Sequence, residues 1–151
     1  MFKKLLRPTA ALGLCLLTAC AQIQSQPTPV TVPITLFERL GGTAGVSTVV
    51  GLSLTRAAQA RNTQRSFDGI KIEAIQKSLT QQICSLTGGG CVYEGETMAR
   101  AHQDLKITAS EFDALVEILR QELDRAGIAA VAKNELLRLL APMKRDIVAA
   151  R

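Results

Sequence analysis

The sequence predicts an all-α protein, and three features of the chain after Pro33 support this prediction. Apolar residues recur there at helical intervals of three and four, and alternation with a period of two is absent. No proline occurs between Pro33 and Pro142. Aromatic residues make up only 3% of the chain, which is low for a sheet protein.

The first half of this region contains three predicted helices. A one-turn helix covers residues 36–40 and ends at Gly41-Gly42, and a second helix covers residues 46–60. The third helix carries five apolar residues at steps of three and four, and the glycine run 88–90 ends it. These five residues are Ile72, Ile75, Leu79, Ile83 and Leu86.

The second half contains two predicted helices. Thr108 and Glu111 have the spacing of a capping box, so a helix should begin after Thr108 and end near Gly127. Asn134 is a candidate N-cap of the last helix, and Pro142 should kink that helix or shift its register. The apolar stripe of the first of these helices is Phe112, Leu115, Val116, Leu119 and Leu123.

The N-terminal segment has the form of an export signal. Three basic residues within the first seven precede an uncharged stretch, residues 10–19, that is too short to cross a bilayer as a helix. The segment from Leu17 to Cys20 resembles the lipobox of bacterial lipoproteins, in which the cysteine is lipidated and becomes the mature N-terminus. An ordinary secretory signal cut at the same place is the alternative. Ala21 follows the cysteine, and by resemblance this favours the outer membrane, facing the periplasm.

Removal of residues 1–19 as a signal peptide would leave a nearly neutral protein. The 18 basic residues fall by three to 15, against 13 acidic ones. We therefore expect no nucleic-acid partner. No later segment is apolar enough to span a membrane, so the lipid on Cys20 is the predicted anchor. Residues 20–33, rich in Gln, Pro and Thr, form a predicted tether, and residues 34–151 form one predicted domain.

Cys84 and Cys91 flank the glycine run 88–90. A disulfide is the expected state in an oxidising periplasm. The glycines would let the helix end fold back and bring the two Cα atoms within about 6 Å of each other. Two free, buried thiols are the alternative. Two cysteines alone are too few for a zinc site.

His102 is the single histidine of the chain, which excludes a multi-histidine metal site. On its own, such a residue is more often a surface or hydrogen-bonded histidine than a ligand. The chain has no Gly-x-Ser-x-Gly motif of a hydrolase. The glycines at 88–90 follow a helix rather than a strand and lack the Lys-Ser/Thr ending of a phosphate-binding loop.

Four segments, in the same order and at matching spacing, resemble group 1 truncated haemoglobins. They are TLFERLGG at 35–42, a Tyr-x-Gly-x-x-Met-x-x-x-His pattern at 93–102, Ile107-Thr108 followed by Phe112, and LAPMKRDIV at 140–148. The likeness covers residues 34–150, nearly the whole predicted domain. It implies a shortened globin, in which helices form a two-over-two sandwich around haem b.

The resemblance also implies roles for individual residues. His102 would be the proximal ligand of the haem iron, as imidazole is in globins. Phe67 matches a phenylalanine that stacks on the porphyrin; its alternative role is a core residue that closes the loop 61–67. Met98, Phe112 and Val116 would line the proximal side, and they are equally consistent with plain core.

Departures from the family concern the distal side, where gas binds. Many members have a tyrosine where this chain has Leu54, and a glutamine where it has Leu79. A histidine that can bind the iron in some relatives corresponds to Ser78. The expected distal pocket is therefore apolar, and oxygen binding should be weakened roughly tenfold to a hundredfold relative to a polar pocket. Its four residues are Leu54, Ile75, Leu79 and Ile83.

Three functions stay open on the sequence. The first is a lipid-anchored haem protein that binds oxygen, nitric oxide or carbon monoxide. The second is redox catalysis at the same haem, as a nitric oxide dioxygenase or a peroxidase-like enzyme, with an unidentified electron donor; the apolar pocket offers no acid–base group for it. The third is a haem-free globin shell that serves as an interaction module on the envelope. His102, Phe67 and Met98 argue against this third function, because all three are in place.

Overall fold

The computed structural model describes residues 33–149, which form helices joined by short connections. The predicted signal peptide 1–19 and the predicted lipid site Cys20 lie outside the described residues, as does all of the predicted tether except Pro33. In chain order the elements are α1 (Leu36–Arg39), α2 (Gly42–Gln59), a first 3₁₀ helix (Gln64–Phe67), α3 (Ile72–Leu86), α4 (Met98–His102), α5 (Ala109–Arg125), α6 (Ala130–Leu140), a second 3₁₀ helix (Ala141–Met143) and α7 (Lys144–Ile147).

The all-α prediction is confirmed for the described residues. The extended pairing among them is a single isolated bridge between Ile107 and Val148. None of the helices in residues 33–149 is both long and apolar enough to cross a membrane.

Helix α2 begins four residues earlier than the predicted start at Val46. Thr35 and Glu38 form a capping box at α1, with the Glu38 amide 3.1 Å from the Thr35 hydroxyl. Gly41 then adopts a left-handed conformation, with φ at 89°, which only glycine adopts without strain. This sharp turn allows α2 to start at once, at Gly42.

Helix α2 packs against both α3 and α5 and is the central helix of the domain. Glu122 of α5 is almost fully buried and accepts hydrogen bonds from Arg56 of α2 and from Arg125. Burial raises the pKa of Glu122, but these two guanidinium groups outweigh that effect and lower it. A paired carboxylate at this depth ties α2 to α5.

The predicted start of the last helix at Asn134 is wrong. Thr108 and Glu111 form the predicted capping box of α5, and Gly127, at φ 70°, follows the end of α5. Helix α6 then begins at Ala130, and Asn134 lies exposed inside it. The extra turn at the start of α6 adds Ala132 to the core that also contains Leu136, so packing overrides the capping preference of asparagine.

The regular α-helix ends just before Pro142, where the sequence predicted a kink or a shift of register within one continuous helix. Helix α6 stops at Leu140, and Pro142 lies in the 3₁₀ helix Ala141–Met143 that leads into α7. Proline has no amide hydrogen to donate to the preceding turn, which explains the change of helix type. Helix α7 packs against α4 and α5.

Candidate functional site

His102 is the last residue of α4 and is half-buried. The helix is started by Thr97, whose hydroxyl accepts a hydrogen bond from the Arg100 amide at 3.3 Å. One turn before His102, the backbone carbonyl oxygen of Met98 lies 2.8 Å from His102 Nδ1. A carbonyl oxygen can only accept, so Nδ1 carries the proton. In the neutral ring the lone pair is then on Nε2, the atom free to bind a metal.

Residues of α2 and α3 that the sequence assigns to the distal side lie together. Leu54 and Ile83 are fully buried members of the main core cluster, and Ile75 and Leu79 are half-buried and pack against that cluster. Ile83 also lines a cavity of about 10 Å³ between the helices, together with Leu119 and Leu123 of α5. None of these four predicted distal residues carries a hydrogen-bond donor on its side chain.

Phe67 is brought to the same cluster, whereas the remaining predicted site residues are not part of it. Phe67 ends the first 3₁₀ helix and packs, half-buried, against the core. Met98, Phe112 and Val116 are half-buried on α4 and α5. The Phe112 ring lies 5.6 Å from the Lys144 ammonium group.

The predicted site residues fit a flat, apolar cofactor. Two of them, Leu54 and Ile83, are fully buried, and the other apolar side chains are covered only in part by the chain itself. Partly covered apolar groups and an imidazole nitrogen with a free lone pair suit haem by their chemistry, because its macrocycle is apolar and its iron needs a nitrogen ligand. The half-buried apolar residues are Phe67, Ile75, Leu79, Met98, Phe112 and Val116.

Comparison with known proteins identifies the family and the fold. Residues 35–149 match the family described as bacterial-like globin, which is well over half of the chain. The chain belongs to the bacterial-like globin family. This confirms the fold prediction, a truncated globin with a two-over-two helical arrangement.

Two curated relatives of this globin are group 1 truncated haemoglobins. The protein from Tetrahymena thermophila is 28% identical over 112 residues, which is 74% of this chain and 93% of the relative. The protein from Mycolicibacterium paratuberculosis is 24% identical over 115 residues, which is 76% of this chain and 85% of the relative.

Solved structures share the fold of this globin. Truncated haemoglobin from Tetrahymena pyriformis, in its Fe(III) form, superimposes with a TM-score of 0.72 at 24% identity, over 77% of this chain and 99% of that chain. The 2/2 haemoglobin from Synechococcus, in the cyanomet state and with covalently attached haem, gives a TM-score of 0.71 at 23% identity, over 76% and 98% of the two chains.

Gln82 of this globin is a candidate site residue that the sequence analysis missed. It is 7% exposed, and its Nε2 lies 3.8 Å from the sulfur atoms of both Met98 and Met143. The helical period places position 82 on the same stripe of α3 as Ile75 and Leu79. That period could have revealed it, but the sequence was searched along this stripe for apolar residues only. Its amide group points towards the thioethers beside α4, which are weak acceptors.

A second missed feature is a polar cluster made of Arg65, Ser66, Thr108 and Glu111, here named the Arg65 cluster. Glu111 is 9% exposed and accepts hydrogen bonds from the other three residues. Burial raises the pKa of Glu111, but the hydrogen bonds from the Thr108 amide and hydroxyl, from Arg65 and from Ser66 outweigh it and lower the pKa to about 2. Glu111 therefore stays ionised at neutral pH.

The structure joins Cys84 and Cys91 by a disulfide, with a Cα–Cα distance of 5.6 Å. Cys84 is 1% exposed at the end of α3, whereas Cys91 is exposed. Gly89 between them is in close contact, because a Cβ atom there would lie 2.5 Å from the Phe37 ring and 2.6 Å from the Cys84 sulfur. The disulfide fastens the start of the connection that leads to α4 and His102.

Removing this disulfide should lower the free energy of unfolding by roughly 2.5 kcal/mol, from closure of a loop of about eight residues. We expect urea denaturation of the oxidised and the thiol-reduced protein to show this difference, since both forms have the same side chains. The double variant Cys84→Ala/Cys91→Ala should behave like the reduced protein, and Ser85→Ala, at an exposed neighbour, should behave like the oxidised one. Equal midpoints for the oxidised and reduced protein would contradict the prediction.

Proposed function

We propose that this globin is a haem protein in which Nε2 of His102 would bind the iron, and that the bound haem would supply a position for a diatomic gas. The observation that carries the proposal is the 2.8 Å contact between His102 Nδ1 and the Met98 carbonyl oxygen. It fixes both the proton and the ring orientation before any metal binds. Metal-binding histidines are commonly held in this way by a backbone carbonyl or a carboxylate.

The surrounding residues support the proposal by their chemistry. Phe67 provides an aromatic face, and Met98, one turn before His102, provides an apolar thioether on the same short helix. Haem supplies, when bound, an iron atom that can coordinate one small gas molecule. The chain's part is to orient the imidazole, to exclude water with apolar side chains and to set the polarity of the gas pocket.

The apolar residues on α2 and α3 support a preference among gases. Leu54 and Leu79 cannot donate a hydrogen bond, and oxygen depends on such a bond more than carbon monoxide or nitric oxide does. We therefore favour a low-affinity oxygen binder that takes up carbon monoxide and nitric oxide more readily. A gas-binding role is favoured over redox catalysis because these side chains offer no acid or base to a reacting ligand.

A haem titration tests the proposal. Haemin added to the purified full-length protein should give a sharp Soret band that saturates at about one haem per chain, the capacity of a single proximal histidine. Bovine serum albumin, which binds haem without this helix, serves as a reference for non-specific uptake. A folded, helical protein with no saturating band would refute haem binding and would leave the haem-free envelope module as the working hypothesis.

We also propose that the protein is exported and anchored as a lipoprotein through Cys20, facing the periplasm. The Cys84–Cys91 disulfide supports this proposal, because disulfides persist mainly in oxidising compartments. The protein should incorporate labelled palmitate and fractionate with the outer membrane, and Cys20→Ala should lose the label. A soluble, unlabelled wild-type protein would contradict lipidation.

A further inference from the structure

Arg65 binds Glu111 through one edge of its guanidinium group, the edge formed by Nε and Nη2. Arg65 Nε lies 3.0 Å from Glu111 Oε1, and Nη2 lies 2.6 Å and 2.7 Å from the two carboxylate oxygens. Such a forked contact restricts the relative orientation of the two side chains far more than a single ion pair does. It therefore fixes the first 3₁₀ helix against the start of α5.

The same guanidinium group reaches the turn that follows the histidine helix. Its Nη1 lies 3.4 Å from the Leu105 carbonyl oxygen, and its Nη2 lies 3.3 Å from the Lys106 carbonyl oxygen. The Leu105 amide in turn donates to the His102 carbonyl oxygen at 3.1 Å. Arg65 is thus linked by two successive hydrogen bonds to the backbone of the proposed iron ligand.

The turn that Arg65 holds has an unusual backbone. Lys106 has a φ of 49°, and it is the one non-glycine residue with positive φ in the described part of the chain. Side chains disfavour this left-handed conformation, so it persists only where neighbouring groups stabilise it. The hydrogen bond from Arg65 to the Lys106 carbonyl oxygen is such a contact.

Glu111 holds the other side of the cluster in place. Its carboxylate accepts from the Thr108 amide at 2.8 Å and from the Thr108 hydroxyl at 2.7 Å, which is the capping box of α5. It also accepts from the Ser66 hydroxyl at 3.0 Å. The next residue after Ser66 is Phe67, so two consecutive side chains before Phe67 are tied to one buried carboxylate.

We propose that the Arg65 cluster is a positioning device for haem: it fixes the distance between Phe67 on the first 3₁₀ helix and His102 at the end of α4. The proposal rests on the proposed function, since Phe67 and His102 are the two groups assigned to the haem faces. Arg65 touches neither the cofactor nor the gas in this assignment. It is a positioning residue that acts through the backbone on either side.

A positioning role differs from general stabilisation in what it changes. Arg65 is 57% exposed, but its partner Glu111 is only 9% exposed, so loss of the guanidinium group leaves a buried carboxylate without its counter-charge and should also lower the unfolding midpoint. A purely structural role would change that midpoint alone. A positioning role should in addition loosen the spacing of the two haem-contacting groups and so speed the release of haem from the folded protein.

The test compares Arg65→Met with Arg39→Met in the full-length protein. Arg39 is a matched control, because it makes an ion pair between elements, with Glu135 of α6 at 2.5 Å, away from the histidine helix. Haem transfer to excess apomyoglobin gives the release rate, and resonance Raman of the ferrous form gives the iron–histidine stretching frequency.

We expect Arg65→Met to release haem on the order of tenfold faster and to shift this frequency. Loss of groups that support a metal ligand without binding the metal commonly has effects of this size. Arg65→Lys should release haem at a rate between those of the wild type and Arg65→Met. Arg39→Met should match the wild type in both measurements.

Two outcomes overturn the proposal: a wild-type release rate in Arg65→Met, or equal acceleration in both variants. If the wild-type protein takes up no haem, the proposed function fails. Hydrogen exchange of the haem-free protein then tests whether the Arg65 cluster orders the turn after α4. The amides of residues 103–108 should then exchange faster in Arg65→Met than in Arg39→Met. Equal exchange in that experiment would refute the positioning role as well.

Discussion

Replacing His102 with glycine should weaken haem binding by at least about a hundredfold, because even partners outside the coordination shell contribute tenfold to hundredfold to metal affinity. The structure gives this residue no obvious substitute. It is the single histidine of the chain, and residues 33–149 contain no group of three or more His, Cys, Asp and Glu side chains that could hold a metal. The measurement is a haemin titration of the variant beside the wild type.

Chemical rescue separates loss of the ligand from loss of the fold. His102→Gly leaves a space at the end of α4 that free imidazole can occupy, so added imidazole should restore the Soret band. Gln103→Ala, at the next and exposed position, should bind haem like the wild type. An unchanged titration in His102→Gly would show that another residue binds the iron. Loss of binding without rescue, in a protein that has lost its helical signal, would show only a folding defect.

Long helices with regular apolar spacing were the part of the fold that the sequence predicted well. Helix α3 begins at Ile72 and ends at Leu86, at the first and last residues of the predicted stripe. Helix α5 begins directly after its capping residue Thr108. In both helices one strongly apolar face and a clear end signal agree, and such agreement leaves few alternatives.

The short helices could not be predicted from the spacing of apolar residues. The first 3₁₀ helix and α4 span four and five residues, too few for an apolar stripe to repeat. Only the resemblance to truncated haemoglobins assigned roles to Phe67 and His102. Asn134 gave a wrong start for the last helix. Its local preference for a capping position was weaker than the gain from burying Ala132, so α6 begins at Ala130.

Polar parts of the candidate site could not be predicted, because they depend on contacts between distant segments. Arg65 and Glu111 are 46 residues apart in the chain, and nothing local to either residue indicates the pairing. Glu111 was assigned to a capping box alone, yet its carboxylate serves both the helix start and the Arg65 guanidinium. That Glu111 faces the interior is seen only from the structure, in which its side chain is buried.

Introducing a hydroxyl donor at position 54 should strengthen oxygen binding tenfold to a hundredfold. Leu54 of α2 is 2% exposed and lies in the cluster against which Ile75 and Leu79 pack. In Leu54→Tyr the phenol would reach into a pocket whose predicted lining has no donor. A hydrogen bond to a charged acceptor contributes about 1.5–3 kcal/mol, and 1.4 kcal/mol is tenfold in affinity. Oxygen and carbon monoxide equilibria of the ferrous protein measure the change.

Leu54→Phe is the control, because it adds the same ring without the hydroxyl. Both variants enlarge a buried side chain and should lose similar stability, about 1–3 kcal/mol. The phenylalanine variant should keep the oxygen affinity of the wild type, while carbon monoxide should change little in either. An equal gain in both variants would assign the effect to pocket volume rather than to the donor.

The wild-type protein could already bind oxygen tightly, so that Leu54→Tyr adds nothing. A Gln82 variant then tests whether Gln82 supplies the hydrogen-bond donor. The Gln82 amide donates towards the Met98 and Met143 sulfur atoms, which are weak acceptors that a polar ligand could replace. In that case Gln82→Leu should lower oxygen affinity by the same tenfold to a hundredfold, since it would remove the donor. Weak oxygen binding in the wild type, unchanged in Gln82→Leu, would instead agree with an amide directed at the thioethers and an apolar gas pocket.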